Sequence, residues 1–253
     1  MTERPGGTPP LLVLGKIKSI LGCFSVERPE LTLSEIARMS GVQSSTCQRL
    51  VHNLVRDGFL DRTGDKHRIG LAFVRWAAPG TLGLDLVTQT RPALVSLSEE
   101  SGETACLYVR DGGLRTVVGV AQSRHVVVRL FRVGMVMPLH AGAPGKIFLA
   151  FDQGARADAL AAGLHPYTTS TPTDVDMLDS QVAKAKRDGY AVALDERDDG
   201  AGSVSAPVFD HEGELAAVIG IGAPTQRLTP EDITRLVPLV RQAATRASQA
   251  LGL

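Results

Sequence analysis

The sequence contains few cysteines and few aromatic residues, and it has no excess of charge of either sign. Its 253 residues include three cysteines, and aromatic side chains make up 4% of the chain. Cys23, Cys47 and Cys106 are odd in number, lie far apart and match no C-x-x-C or Cys/His spacing, which argues against a disulfide framework and a zinc site. The formal net charge is +0, so the chain as a whole is not a polycation.

Long apolar runs are also missing. No run of about 18 apolar residues could span a bilayer. The N-terminus does not combine a basic start, an apolar run and a small-residue cleavage site. We therefore expect a cytoplasmic protein that has no membrane partner.

The motifs of common enzymes are absent as well. The segment "GAPGK" (142–146) lacks the first glycine of a phosphate-binding loop, and Ile147 follows the lysine instead of Ser or Thr. The segment "GSVSA" (202–206) ends in alanine and is not a nucleophile elbow. The six histidines show no paired spacing. We predict no catalytic residue, no metal and no cofactor, and we do not expect an enzyme.

The charges that are present are distributed unevenly. Residues 1–10 contain three Pro and two Gly and are predicted to be a disordered lead-in. Residues 1–70 hold ten Lys or Arg against seven Asp or Glu, a balance of +3 that the remainder offsets. A nucleic-acid surface, if there is one, is therefore expected near the front of the chain.

Three helices are predicted in this front part. Apolar residues recur at helical spacing over about 11–25. A second helix starts at "TLSE", where Thr32 and Glu35 form a capping box, and Gly41 follows its end. The third is expected to have Ser44 as its N-cap, and its buried stripe is Cys47, Leu50, Val51, Leu54 and Val55.

A basic hairpin follows the third helix. The segment "FLDRTGDKHRIG" (59–70) predicts two short strands around a turn at 63–66. Together with the three helices, it makes residues 11–70 a predicted winged helix-turn-helix, in which the third helix enters the major groove of DNA. The polar residues expected to contact DNA are Gln43, Ser44, Ser45, Thr46, Gln48, Arg49, Lys66, His67 and Arg68.

These residue types suit the task. Arg49 can bond guanine and Gln48 can bond adenine, whereas Ser45 and Thr46 are better suited to phosphates. The alternative is that the polar helix face is simply solvated.

The rest of the chain predicts an α+β domain. Residues 71–83 are expected to form a linker helix and hinge, because Pro79–Gly80 stops the helix. Beyond them, helices flank a mostly antiparallel sheet, with strands expected at 103–109, 114–121 and 125–131 and again after residue 189. Cys106 and Tyr108 lie two apart on one of these strands, so they share a face that lines either a pocket or the core.

Several segments resemble one family. "LTLSEIARMSGVQSSTCQRLVHNLVRDGFLDR", followed by "HRIG", is similar to the DNA-binding domain of the IclR family of bacterial transcription regulators. "LHAGAPGKIFLAF" and "GYAVALDERDDGAGSVSAPVFDHEGELAAVIGIGAP" resemble segments of the same family. The resemblance implies a GAF-like effector-binding domain over 84–253, control by a small metabolite, and homodimers that pair as dimers of dimers.

The resemblance also implies an effector pocket. Its positions in this sequence are Gly142, Ala143, Pro144, Gly145, Ala193, Ser203, Gly220 and Gly222. Family members that bind small polar acids have hydroxyls or an acid at several of the strand positions. This chain has Ala193, Gly220 and Gly222 there, and Ser203 is the remaining hydroxyl. We therefore expect a roomier and less polar pocket that takes a larger effector such as an aromatic acid. The alternative is that Gly220 and Gly222 only allow close backbone packing.

The function implied is regulation of transcription. A dimer would bind a pseudo-palindromic operator in double-stranded DNA, and the small-molecule effector would modulate that binding. The alternative is a protein-interaction or metabolite-sensing module whose winged helix docks a protein rather than DNA.

Overall fold

The structure is a computed structural model that describes residues 12–73, 75–76, 85–126, 128 and 130–253. The chain divides into two compact units, residues 1–83 and 84–253. The predicted lead-in at 1–10 and the predicted hinge residues Pro79 and Gly80 lie outside the described residues. The described part of the linker, 71–73 and 75–76, is helical.

The first unit contains three helices and a small sheet. Its elements in chain order are α1 (Leu12–Leu21), β1 (Glu30–Thr32), α2 (Leu33–Ser40), α3 (Ser44–Arg56), β2 (Leu60–Thr63) and β3 (Lys66–Ile69). The three strands are antiparallel in the order β1-β3-β2. The arrangement is a helix-turn-helix with a wing, as predicted.

Local signals explain the joint between α2 and α3. Thr32 and Glu35 form the predicted capping box, and Gly41 ends α2 with a φ of 67°, a left-handed conformation that costs glycine little. The predicted cap of α3 is wrong: Gln43 is the N-cap, without a side-chain bond. Ser44 already belongs to the helix, because the Gln43 carbonyl accepts the first helical bond from the Cys47 N–H at 2.8 Å.

The second unit is built on one sheet of six strands. Its elements are α4 (Asp85–Ser101), β4 (Thr104–Asp111), β5 (Leu114–Ala121), β6 (Val136–Pro138), α5 (Ala143–Phe151), α6 (Ala155–Ala162), α7 (Val175–Asp188), β7 (Ala191–Leu194), β8 (Ala201–Phe209), β9 (Leu215–Pro224), a short 3-10 helix (Thr225–Arg227) and α8 (Pro230–Ala250). The strand order is β6-β5-β4-β9-β8-β7, and each described pairing is antiparallel. The α+β fold class is confirmed.

The sheet has a different cover on each face. Alternating residues such as Val204, Ala206 and Ile219 pack in one buried apolar cluster with side chains of α4 and α8. The strand residues that point to the other face pack in a second apolar cluster with α5, and Tyr108 and Ala193 are buried there. The predicted pocket positions on the strands all belong to this second face.

The strand predicted at 125–131 is wrong. Its described residues are not extended in the sheet, and β6 (Val136–Pro138) pairs with β5 instead. The β-branched run has strand propensity, but Val126 and Leu130 are exposed and Phe131 is buried. Strand propensity depends on cover from neighbouring elements, which Val126 and Leu130 do not have. In the described part of the chain, no helix is long and apolar enough to cross a membrane.

Candidate nucleic-acid interface and effector cavity

Helix α3 has a buried face and a polar face. Cys47, Leu50 and Leu54 are buried in the core of the first unit. The opposite face carries the candidate base-reading residues, and Ser45, Gln48 and Arg49 are exposed there. The other candidates at the start of the helix are exposed (Gln43, Ser44) or half-buried (Thr46). The structure therefore brings the predicted helix residues together on one accessible surface.

The wing exposes two of its three predicted cations. Lys66 and Arg68 are exposed, and they lie 3.9 Å from Glu30 Oε2 and 3.5 Å from Asp61 Oδ2. Ion pairs between such exposed groups contribute about 0–1 kcal/mol, so a phosphate could replace the carboxylate at little cost.

His67 is placed differently from the prediction. Its side chain is buried, and burial lowers the pKa of its imidazole. Successive residues of a strand point to opposite faces, so three consecutive residues of β3 cannot all face outwards. His67 therefore points away from the face that carries Lys66 and Arg68.

Sequence reasoning missed Arg62. It is exposed on β2, pairs in register with His67, and lines a groove together with Gln48 and His52 of α3. The signal was available, since the register of a four-residue turn puts positions 62 and 67 opposite each other.

The start of α5 is the polar centre of the second unit. Gly142, with a φ of 96°, donates its N–H to Glu196 Oε2 at 2.8 Å. The Ala143 N–H bonds Ser203 Oγ at 3.1 Å. Glycine is also needed at 145, where an added Cβ would collide with the Leu139 carbonyl group and lie 2.6 Å from its carbon. The loop and the first turn of α5 are thus tied to β8 and to the loop that precedes it.

Lys146 and Glu196 form an internal ion pair. The exposed fractions of their side chains are 3% and 7%. Burial lowers the pKa of the Lys146 ammonium, while the adjacent Glu196 carboxylate acts in the opposite direction. A lysine at a helix start more often points to water, but Lys146 is buried here because Glu196 compensates its charge.

Arg115 is a second buried cation beside this loop. The exposed fraction of the residue is 3%, and its Nη2 donates to the Ala141 carbonyl at 2.9 Å. It also bonds the Pro138 carbonyl, and its guanidinium lies 5.9 Å from the centre of the Tyr108 ring. Arg115 therefore holds the 138–142 backbone in place while its side chain reaches a cavity.

That cavity lies between the sheet and the start of α5. Its volume is about 30 Å³, enough for one or two water molecules. Its lining includes five of the predicted ligand-binding residues: Tyr108, Gly142, Pro144, Ala193 and Ser203. The lining residues that sequence reasoning missed are Arg115, Phe131, Met137, Glu196, Arg197, Ala201 and Gly202.

The remaining predicted pocket residues do not line the cavity. Ala143 and Gly145 are buried in α5, and Cys106 is buried in the apolar cluster of the same sheet face. Gly220 faces Ser205, since an added Cβ would lie 2.8 Å from Ser205 Cβ.

The expectation of a roomier pocket is not met in this structure. At Gly222 an added Cβ would lie 2.7 Å from Phe131 Cζ, so the Phe131 ring fills the space that the missing side chain leaves. Gly220 and Gly222 thus allow close packing, the alternative that sequence reasoning left open.

The cavity combines positive charge with apolar walls. Arg115 supplies the charge, whereas Arg197 pairs with Asp198 at 3.1 Å and the Lys146 ammonium balances the Glu196 carboxylate. Ser203 accepts one hydrogen bond and can donate its own hydroxyl hydrogen. A guanidinium beside apolar and aromatic side chains is a typical site for a small organic carboxylate.

Comparison with known proteins identifies both halves of the chain. The model of the bacterial transcriptional regulator IclR C-terminal domain matches residues 81–249, and the model of the IclR helix-turn-helix domain matches residues 13–64. The HTH-type transcriptional regulator XynR of Escherichia coli is 28% identical over 92% of this chain and 94% of its own length.

Two solved structures have the same fold over nearly the whole chain. An IclR transcriptional regulator from Alicyclobacillus acidocaldarius superposes with a TM-score of 0.79 at 26% identity, over 95% of this chain and 98% of that one. An IclR homologue from Microbacterium hydrocarbonoxydans, complexed with 4-hydroxybenzoate, gives a TM-score of 0.78 at 26% identity, over 94% and 98% of the two chains. The chain belongs to the IclR family: it is a DNA-binding transcription regulator with an effector-binding C-terminal domain, and not an enzyme.

Proposed function

We propose that the polar face of α3 reads the operator and that the wing holds the DNA backbone. Arg49 and Gln48 contact base edges, and the residues at the start of the helix (Gln43, Ser44, Ser45 and Thr46) bind phosphates or bases. Lys66, Arg68 and Arg62 supply cations for phosphates on either side. The observation that carries this proposal is the exposed polar face of α3. The apolar face on the other side of the helix is buried in the core of the first unit.

The regulator acts as a homodimer on a pseudo-palindromic operator. Large apolar side chains that a monomer exposes support this proposal in the first unit: Leu12, Leu14, Leu71 and Trp76. A two-fold dimer places its reading helices in major grooves about 34 Å apart or a multiple of that distance. Pairing of dimers into tetramers is part of the same proposal.

The effector is a small organic acid, and an aromatic acid is the class that we favour. Its carboxylate pairs with Arg115 and accepts from Ser203, while Tyr108 and Pro144 contact its apolar part. The 4-hydroxybenzoate complex of the Microbacterium homologue supports this class. Binding of the acid changes operator affinity only if the acid prefers one arrangement of the two winged helix-turn-helix units in the dimer. The free energies of such couplings are typically about 1–3 kcal/mol.

The test of operator reading is fluorescence anisotropy on duplexes from the protein's own upstream region at several salt concentrations. We expect sequence-preferring binding that Arg49→Ala weakens by about 1–3 kcal/mol while relaxing the preference, because a bidentate contact to guanine is lost. Lys66→Ala should weaken binding to all sequences alike and reduce the salt slope by about one.

Arg56→Ala is the matched control for Arg49→Ala. Arg56 is an exposed arginine of the same helix, but it lies in the last turn and pairs with Asp57 at 2.9 Å. Arg56→Ala should leave the preference for the operator sequence unchanged. Equal losses for Arg49→Ala and Arg56→Ala would contradict base reading by Arg49. DNA binding that depends neither on the salt concentration nor on the DNA sequence would favour the alternative, in which the winged helix docks a protein.

The effector class is tested on the same complex. Benzoate, 4-hydroxybenzoate and pyruvate are titrated into the protein–operator complex, and release or tightening is followed by anisotropy. Arg115→Met is expected to abolish the response to each acid. Because Arg115 also holds the 138–142 backbone, a thermal unfolding curve of the variant checks that the second unit is still folded. A response to acids that survives in Arg115→Met would place the acid site elsewhere.

A further inference from the structure

The ring of Phe131 lies where a ligand would be expected. Phe131 is 4% exposed and lines the cavity, and its ring lies directly over Gly222. Gly222 pairs in register with Ser203 on β8 and with Thr104 on β4. The ring therefore covers the sheet next to the Ser203 hydroxyl, inside the region that would bind an acid.

Phe131 reaches the site from a connection between two strands. Phe131 belongs to the connection between β5 and β6, and its carbonyl accepts a bond from Gln122 Nε2 at 2.9 Å. The other lining residues belong to the strands, to α5 or to the connections next to them. The side chain thus covers a depression in the sheet that Gly222 leaves open.

The volumes show what the ring excludes. The cavity that remains is about 30 Å³, whereas a cavity of about 150 Å³ is the size known to take up benzene. Formate, with three heavy atoms, is close in size to the one or two water molecules that this space holds, but an aromatic acid cannot enter while the Phe131 ring stays over Gly222.

We propose that Phe131 determines the size of effector that the cavity accepts. An aromatic acid binds with its ring in the place of the Phe131 ring, over Gly222, while its carboxylate meets Arg115. Displacement of the side chain lowers the affinity for aromatic acids, because the open arrangement is a small fraction of the population. This inference rests on the proposed function in its use of acids, but its central element, the ring-sized space that the Phe131 side chain fills, does not.

The experiment measures the affinity of three probes by isothermal titration calorimetry, for the wild-type protein and for Phe131→Ala, both as the full chain. Benzoate should bind Phe131→Ala about tenfold tighter or more, since the truncation removes the cost of displacing the ring. The affinity for formate should change by less than about threefold, because formate binds with the ring in place. Toluene, a neutral aromatic, should bind Phe131→Ala saturably and the wild type not at all.

Phe148→Ala is the matched control. Phe148 is buried in the same apolar cluster but does not line the cavity, so its truncation should destabilise the protein without raising benzoate affinity. A second control uses Gly222→Ala, whose methyl group would collide with the Phe131 ring. This substitution should lower the thermal midpoint strongly in the wild type and much less in Phe131→Ala.

The outcomes separate the two proposals. If benzoate and formate gain affinity alike, or if benzoate binds Phe131→Ala no better than wild type, Phe131 does not select by size. If neither acid binds either protein, the proposed acid effector is wrong, and toluene then decides this inference. A Phe131→Ala protein that takes up no toluene and gives no rescue of Gly222→Ala overturns it.

Discussion

At the scale of single residues, the least expected feature is the ion pair between Lys146 and Glu196. The two positions are fifty apart in the chain, and neither belongs to a motif that predicts burial. Glu196 also accepts the Gly142 N–H, so one carboxylate serves both an ammonium and the start of α5. Removing one partner of a buried pair is far more costly than removing both.

Glu196→Gln is predicted to destabilise the second unit. The amide keeps an oxygen for the Gly142 N–H but leaves the Lys146 ammonium without a counter-charge, at a cost of about 3–5 kcal/mol. The double variant Lys146→Met/Glu196→Gln should recover most of the loss, because both charges leave the interior together. Chemical unfolding in urea measures all three proteins.

An exposed ion pair is the control for this prediction. Arg156 and Asp179 lie 2.7 Å apart, with 50% and 41% of their side chains exposed. Arg156→Ala should cost at most about 1 kcal/mol. If Glu196→Gln lowers the free energy of unfolding by no more than Arg156→Ala does, the buried pair does not stabilise the second unit as its burial indicates.

At the scale of elements, local signals predicted most boundaries but not all. The capping box of α2, the left-handed Gly41 and the turn at Gly64 follow from residues within one or two turns of the chain. The start of α3 and the strand expected at 125–131 were wrong, because the geometry of a tight turn and the cover available to a strand are not local properties.

Thr32, the cap of α2, and Ser44, the residue predicted to cap α3, differ in their expected contribution to stability. Thr32→Ala should lower the free energy of unfolding of the first unit by about 0.5–2 kcal/mol, since Thr32 Oγ1 accepts the Glu35 N–H. Ser44→Ala should stay within about 0.5 kcal/mol of the wild type, because Ser44 is inside α3 and is not its cap. Unfolding curves followed by circular dichroism distinguish them. A larger loss for Ser44→Ala would restore Ser44 as the cap.

At the scale of the whole molecule, each of the two units has its own buried core. The first unit has one apolar cluster around α2 and α3. The second has a cluster on each face of its sheet. In the second unit, β9 lies at the centre, paired with both β4 and β8, so the sheet needs the C-terminal part of the chain.

We predict that the fragments 1–83 and 84–253 each fold when produced alone. Each contains a complete buried core, and cooperative thermal unfolding of each fragment checks this. Fragment 84–253 should still bind benzoate. A fragment 84–209, which lacks β9 and α8, is the control and should not unfold cooperatively. Non-cooperative melting of 84–253 would show that the second unit depends on the first.

The sequence by itself determined the winged helix-turn-helix of this protein. The helix-turn-helix, the exposed Gln48 and Arg49 and the wing cations Lys66 and Arg68 follow from periodicity, caps and turns, which are interactions between near neighbours. Alternation along β3 would also have excluded His67 from the outer face of the wing.

Only the tertiary structure decided what the effector cavity looks like. The sequence pointed to the loop at 142–145 and to Ser203, but not to Arg115, Phe131 or Glu196, which lie far apart in the chain. An arginine or phenylalanine in a strand or loop has no local mark of its role. Its role depends on which groups long-range packing places beside it, as the Phe131 ring over Gly222 illustrates.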